Sequence, residues 1–189
     1  MTDRAGFADP VLGAQSCFRA VLDAMARPGT RHAAGEGLSP PAPLGPAAAA
    51  VLLTLIDQDA PLCVPDDAKA ARDWLAFHCG ARFVPPAEAS FLFATAMPDL
   101  GALNAGTHEA PEEGATLILQ VARLGAGQRF RLRGPGIDGA VVLAVDGVPS
   151  DFAEHWAANR ARFPRGIDLV LCAGTALAAL PRGVAVEAL

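Results

Sequence analysis

The sequence predicts an α/β protein built on a mixed sheet flanked by helices. Three observations carry that expectation. Several stretches place apolar residues at helical spacing behind helix-start signals, others are short and nearly unbroken apolar runs, and glycine and proline separate the two kinds throughout. The chain has 189 residues, enough for one substantial core and short for two, so residues 1–189 read as a single domain.

Asp9-Pro10 reads as an N-cap with proline at the first helical position, and Phe18, Val21, Leu22 and Met25 share one stripe, so a first helix runs to about Ala26. Arg27-Pro28-Gly29 stops it. A Gly/Pro-rich loop from His32 to Pro43 leads to Pro46, which opens an alanine-rich, largely buried second helix through Val51, Leu52, Leu55 and Ile56. Ala60 to Val64 reads as a short strand. Asp66 and Asp67 then cap a third helix whose Ala71, Trp74, Leu75 and His78 lie on one face, and Gly80 closes it. Phe83-Val84 and Phe91 to Ala94 are strand candidates, and Met97 to Leu103 offers one helical turn.

The run Ala115 to Ala122 is almost wholly apolar, as a strand covered on both faces must be, which puts it at the sheet centre. Gly125-Ala126-Gly127 predicts a hairpin turn into Gln128 to Arg133, where Phe130 and Leu132 alternate with Arg129, Arg131 and Arg133. Gly134-Pro135-Gly136 ends that strand. A strand near Ala140 to Val145, a helix capped by Ser150 that carries Phe152 and Trp156, and strands at Ile167 to Cys172, Ala176 to Leu180 and Val184 to Glu187 finish the sheet.

The formal net charge of -5 argues against broad attraction to nucleic acid or anionic lipid, so neither is expected as a partner. No apolar stretch reaches the roughly 20 residues a bilayer span needs. Met1 to Phe7, with Asp3 and Arg4, lacks the basic segment and apolar run of a secretory leader, so a cytoplasmic protein is expected. Cys17, Cys63, Cys79 and Cys172 have neither C-x-x-C spacing nor paired histidines and read as free, buried thiols. The 15 basic residues include one lysine, Lys69, so any chemistry that needs a lysine has one candidate. Charged residues make up 19%, below the roughly 25% usual for globular domains, which hints at a surface covered by self-association or a partner.

The arginine face is the most functional-looking feature. Three guanidiniums on one side of a strand can hold a phosphate, a phosphonate or an acidic surface, with Arg131 at the centre; the plainer reading is an edge strand charged against aggregation. Gly134 and Gly136 can offer backbone N–H groups to the same anion, although a plain turn explains them as well. Asp57 and Asp59 form a carboxylate pair for acid/base work or, more simply, an Asx-type turn into Pro61. Glu112, just before the central run, is a further acidic candidate. No nucleotide-binding fingerprint, G-x-S-x-G elbow or metal spacing occurs, and His32, His78, His108 and His155 share no short spacing, so no metal is expected. His78 reads as a hydrogen-bonded core histidine. With no catalytic constellation, the chain reads as a non-catalytic component of an assembly.

Several spaced blocks resemble one family. They are Phe18-Arg19, Ala24-Met25 and Pro28-Gly29; Leu52 to Leu55 with Asp57, Asp59 and Pro61; Phe77-His78; and Pro111-Glu112 with Gly114 to Gln120. Leu132 with Gly134, Gly136 and Ile137, Phe163-Pro164 with Gly166 to Leu169, and Pro181-Arg182 complete the set. In this order, over nearly the whole chain, they resemble the PhnH family, a component of the carbon-phosphorus lyase system of bacterial phosphonate metabolism. Arg131 fits the pattern; Arg129, Arg133 and His108 lie outside it. The resemblance implies a fold like that of pyridoxal-phosphate (PLP)-dependent transferases without the PLP site, hence no cofactor, and a homodimer. It also implies a complex with subunits G, I and J, docking chiefly on I. PhnH proteins, together with subunits G, I and L, serve transfer of the ribose triphosphate of ATP to a phosphonate. The resemblance supplies no catalytic residues for the PhnH component.

Overall fold

Asp9 Oδ1 accepts hydrogen bonds from the backbone N–H groups of Val11 and Leu12 at 3.0 Å each, so the first helix, α1 (Pro10–Ala26), begins at the predicted cap. The computed structural model describes residues 5–189; Asp3 and Arg4, read above for a leader, lie outside them. The elements that follow are β1 (His32–Ala33), α2 (Pro46–Leu55), β2 (Pro61–Cys63), α3 (Lys69–Cys79), β3 (Arg82–Phe83) and β4 (Phe91–Ala94). Then come β5 (Thr116–Gln120), β6 (Arg123–Arg133), β7 (Val141–Asp146), α4 (Phe152–Arg160), β8 (Asp168–Ala173), β9 (Ala176–Leu180) and β10 (Ala185–Ala188).

The main sheet has seven strands in the order β1-β9-β8-β5-β4-β2-β3. Strands β3, β2, β4, β5 and β8 run parallel, and beyond β8 the pairings β8–β9 and β9–β1 are antiparallel, so the sheet is mixed. The apolar run around β5 lies fourth of seven, at the predicted centre. Successive side chains of a strand point to opposite faces, and the cores divide accordingly. Ile118, Val170 and Ala179 meet α1, α2 and α3 on one face, while Leu117, Leu119, Leu169 and Leu171 meet α4 and a second sheet on the other. In α2 Ala47 to Ala50 are wholly buried, and their small side chains let the helix lie close to its neighbours.

The second sheet, β10-β6-β7, is antiparallel and corrects two expectations. Gly125-Ala126-Gly127 does not turn a hairpin: Leu124 and Gln128 both register with Val145, so the glycines form a bulge inside one long strand. Gly125 and Gly127 have φ of +91° and +89°, and a Cβ on Gly127 would stand 2.6 Å from the Asp146 Cα, which is why the bulge needs glycine. Nor is the arginine strand an edge. β6 lies between β10 and β7, and β10, expected in the main sheet, pairs with it instead.

Two predicted caps are replaced. Ala68, not Asp66 or Asp67, is the N-cap of α3, because Asp66 is drawn to Arg72 Nη1 at 2.8 Å. Asp151, not Ser150, precedes α4, and the backbone carbonyls of Pro149 and Asp151, rather than a serine hydroxyl, accept from the N–H groups of Phe152, Glu154 and His155.

Candidate functional site

The arginine face of β6 meets the carboxylate of Glu187, carried by β10. Arg131 Nη1 lies 3.1 Å and Arg133 Nη1 3.5 Å from the same oxygen, Glu187 Oε2. Arg129 is exposed on the same strand. The pairs are open to solvent, where such contacts contribute about 0–1 kcal/mol. The turn after β6 is packed against protein: a Cβ on Gly136, at φ +78°, would stand 2.1 Å from the Ala26 carbonyl oxygen, and one on Gly134 would stand 3.1 Å from Val184 Cα.

The other sequence candidates are dispersed. Asp57 Oδ1 accepts from the backbone N–H groups of Asp59 and Ala60 at 2.9 Å each, the geometry of an Asx turn. Glu112 is exposed on a single 3-10 turn, Pro111–Glu113. His78 is only half-buried, with its ring against Trp74 and Phe77 at centroid distances of 4.7 and 5.0 Å. Lys69 is exposed at the first residue of α3. Among the described residues no group of three His, Cys, Asp or Glu side chains is placed to hold a metal ion.

Two constellations that sequence reasoning missed sit at opposite ends of the central strands. At the start of β8, Asp168 is gripped by Arg182: Nε lies 3.1 Å from both carboxylate oxygens, Nη2 lies 2.5 Å from Oδ2, and the Arg182 backbone N–H donates to Oδ1 at 2.8 Å. Arg182 Nη1 also donates to the Pro111 carbonyl. Gly114 and Gly166 let the chain through here, since a Cβ on Gly114 would stand 2.5 Å from the Gly166 carbonyl oxygen. Residues from three of the spaced family blocks thus meet at one point. At the far end of β5, Gln120 Oε1 accepts from Gly45 N at 2.5 Å and Gln120 Nε2 donates to the Pro43 carbonyl at 2.7 Å. The Gly/Pro-rich loop is thereby fastened across the carboxyl end of the parallel strands, where open α/β sheets commonly bind ligands. Neither arrangement has a local motif: the partners are 14 residues apart in one case and 75 or more in the other. The one sequence signal was an acid and an amide at the ends of apolar runs.

A cavity of about 290 Å³ opens between Asp99–Gly101 and the C-terminal half of α4, lined by His155, Ala158, Asn159 and Arg162. Arg162 Nη1 donates to the Leu100 carbonyl at 3.1 Å, and His155 Nε2 lies 3.3 Å from Asp151 Oδ2. Asn159, 2% exposed, is tied to Ile167: its Nδ2 donates to the carbonyl at 2.9 Å and its Oδ1 accepts from the N–H at 2.8 Å.

Fold and site together define an α/β protein whose least exposed ion pair, Arg182–Asp168, fastens the segment after β9 to the central sheet. Residues 5–187 match the family model described as Bacterial phosphonate metabolism protein (PhnH), and the chain belongs to that family. It is 44% identical over 187 residues, 96% of this chain and 94% of the relative, to a Rhizobium meliloti (strain 1021) protein named alpha-D-ribose 1-methylphosphonate 5-triphosphate synthase subunit PhnH. It is 34% identical over 174 residues, 89% of this chain and 83% of the relative, to a Stutzerimonas stutzeri protein named putative C-P lyase subunit protein HtxG. The family expected from the spaced blocks is the family found.

Proposed function

We propose that this chain is the PhnH component of a bacterial alpha-D-ribose 1-methylphosphonate 5-triphosphate synthase and that it serves the assembly of that enzyme. The observation that carries this is the 44% identity to the Rhizobium meliloti synthase component, maintained over 96% of the chain. In this role it works with subunits G, I and L in moving the ribose triphosphate of ATP onto a phosphonate. It forms a homodimer, joins subunits G, I and J, docks chiefly on I, and is cytoplasmic. No described helix is long and apolar enough to cross a membrane, which is compatible with that location. Its fold is read as related to PLP-dependent transferases without the cofactor site; the exposed position of Lys69, outside the cavity lining, supports this.

Co-purification with subunits G, I and J tests the assignment. Retention of all four proteins on one affinity tag is expected, with I the last to be lost in salt washes. Adenine release from ATP and methylphosphonate by the isolated chain overturns the assembly role; failure to bind any of the three overturns the assignment.

A second reading has an observation in its favour. Arg131 and Arg133 already converge on a carboxylate oxygen, so an anionic ligand or an acidic partner surface can take the place of Glu187, next to Gly134 and Gly136. Calorimetry with ATP on wild type and Glu187→Gln separates the readings: tighter binding to the variant favours an anion surface, and unchanged absence of heat disposes of it.

A further inference from the structure

We infer that the outer face of α1 is a docking surface for a second copy of this chain, whose own α1 packs against it antiparallel. The inference rests on the homodimer proposed above and gives that homodimer its interface.

The sequence puts Phe18, Val21 and Leu22 on one stripe, and the structure divides them. Val21 turns inward with Cys17, Ala20 and Ala24, all buried, while Phe18 and Leu22 are 52% and 57% exposed. Val11, 68% exposed, and Gln15, also exposed, continue the outer stripe. At 3.6 residues per turn, positions 11, 15, 18 and 22 fall within about 60° of one another, on the side opposite the buried one. Leu12, 64% exposed, borders them. Among the described residues the other large apolar side chains this exposed, Phe77, Val142, Phe163 and Leu189, are spread over four different segments. Single exposed apolar residues need no partner, whereas four gathered on one helix form a patch.

The area of the patch sets the strength of the contact. Each of the four side chains leaves on the order of 100 Å² in water, so together they approach the few hundred Å² at which an apolar patch marks an interaction site. Two facing copies cover about 800 Å² of apolar surface before flanking residues are added, against the roughly 1,200 Å² at which standard interfaces begin. That is the area of a weak dimer.

The occupant is a second copy because the stripe reads the same in both directions. Its positions are four, three and four residues apart, so an antiparallel copy sets Val11 against Leu22 and Gln15 against Phe18, and every seam position meets another. The stripe carries no charge, and of the charges beside it Asp23 is held by Arg27 of its own chain at 2.5 Å. The two Gln15 amides fall on either side of the two-fold axis, within reach of each other, and one polar pair in an apolar seam fixes register and orientation.

Sedimentation of the full chain from about 1 to about 200 µM tests this, with a wild-type dimer of micromolar dissociation constant expected. Phe18→Glu and Leu22→Glu are each expected to weaken it about thirtyfold or more, the effect of losing one central interface side chain, with the circular-dichroism helix signal unchanged. Val142→Glu, on β7, is expected to dimerise as wild type. Under mild oxidation a mixture of Val11→Cys and Leu22→Cys chains is expected to cross-link while neither variant does so alone. A wild type that stays monomeric overturns both this interface and the homodimer reading. A dimer that survives Phe18→Glu and Leu22→Glu, cross-linking within either cysteine variant alone, or none in the mixture overturns the interface and leaves the homodimer standing. Loss of capture by subunit I in Phe18→Glu with the dimer intact gives the face to another protein and also overturns the inference.

Discussion

Arg182 holds Asp168 with three side-chain contacts and one backbone contact, which ties the segment after β9 to the first residue of β8. The arginine side chain is 13% exposed and the aspartate 23%, so neither charge is well solvated if its partner is removed. A buried pair is modest evidence for stability as a whole, but truncating one side strands the other. Asp168→Ala and Arg182→Ala are each expected to cost about 2–4 kcal/mol in urea unfolding. A double variant close to either single one, rather than to their sum, is the mark of a shared interaction.

Gln120 gives a second test. Replacing it with Ala leaves Gly45 N and the Pro43 carbonyl without their partner, and two lost hydrogen bonds of this kind cost about 1–3 kcal/mol. Hydrogen exchange separates this local fastening from general weakening: Gly45 should exchange much faster while the centre of β5 keeps its protection. Equal acceleration at both would show that the loop is not held by this side chain.

These two clamps show where the sequence was legible. The pattern located α1, α2 and the central position of β5, because caps, proline at the first helical position and a continuous apolar run act through neighbouring residues. It misplaced β10 and read the glycines at 125 and 127 as a turn, because pairing partners lie far along the chain: β10 binds β6 across more than fifty residues. It read Asp57 both ways, and the turn geometry now accounts for its carboxylate. The Arg182–Asp168 clamp was invisible except as two separate family blocks, since nothing local tells a paired aspartate from a free one.

Two glycines distinguish crowding from backbone conformation. Gly35 and Gly139 both have positive φ, +78° and +68°, but a Cβ on Gly35 would stand 2.1 Å from the Pro46 carbonyl oxygen while Gly139 meets nothing within 4 Å. Gly139→Ala should cost only the left-handed conformation, about 1–2 kcal/mol. Gly35→Ala should cost clearly more, because the backbone at the start of α2 must also move. Equal thermal midpoints for the two variants would contradict this account.

The thiols predict how stability depends on alkaline pH. Burial pushes Cys79 up to about 11 and raises Cys172 strongly, with Cys17 nearby adding to the rise at Cys172; burial also raises Cys17, partly offset by a hydrogen bond with Thr54. Unfolded, each thiol ionises near its ordinary value of 9.0. Below that pH both states hold the proton and the contribution to stability is complete. Above it the unfolded state releases protons that the native state retains, so stability falls as pH rises from about 9 to about 11. Each retained proton contributes a slope of up to about 1.4 kcal/mol per pH unit. Cys63, also raised by burial, adds to the same decline, and the chain has no tyrosine to titrate in this range. Urea unfolding between about pH 8 and about pH 10.5 should therefore show a steady decline. In Cys172→Ala the starting stability should be lower and the slope flatter, since one of the protons responsible is gone; an unchanged slope would mean that the buried thiol at the carboxyl end of β8 is not what the fold protects.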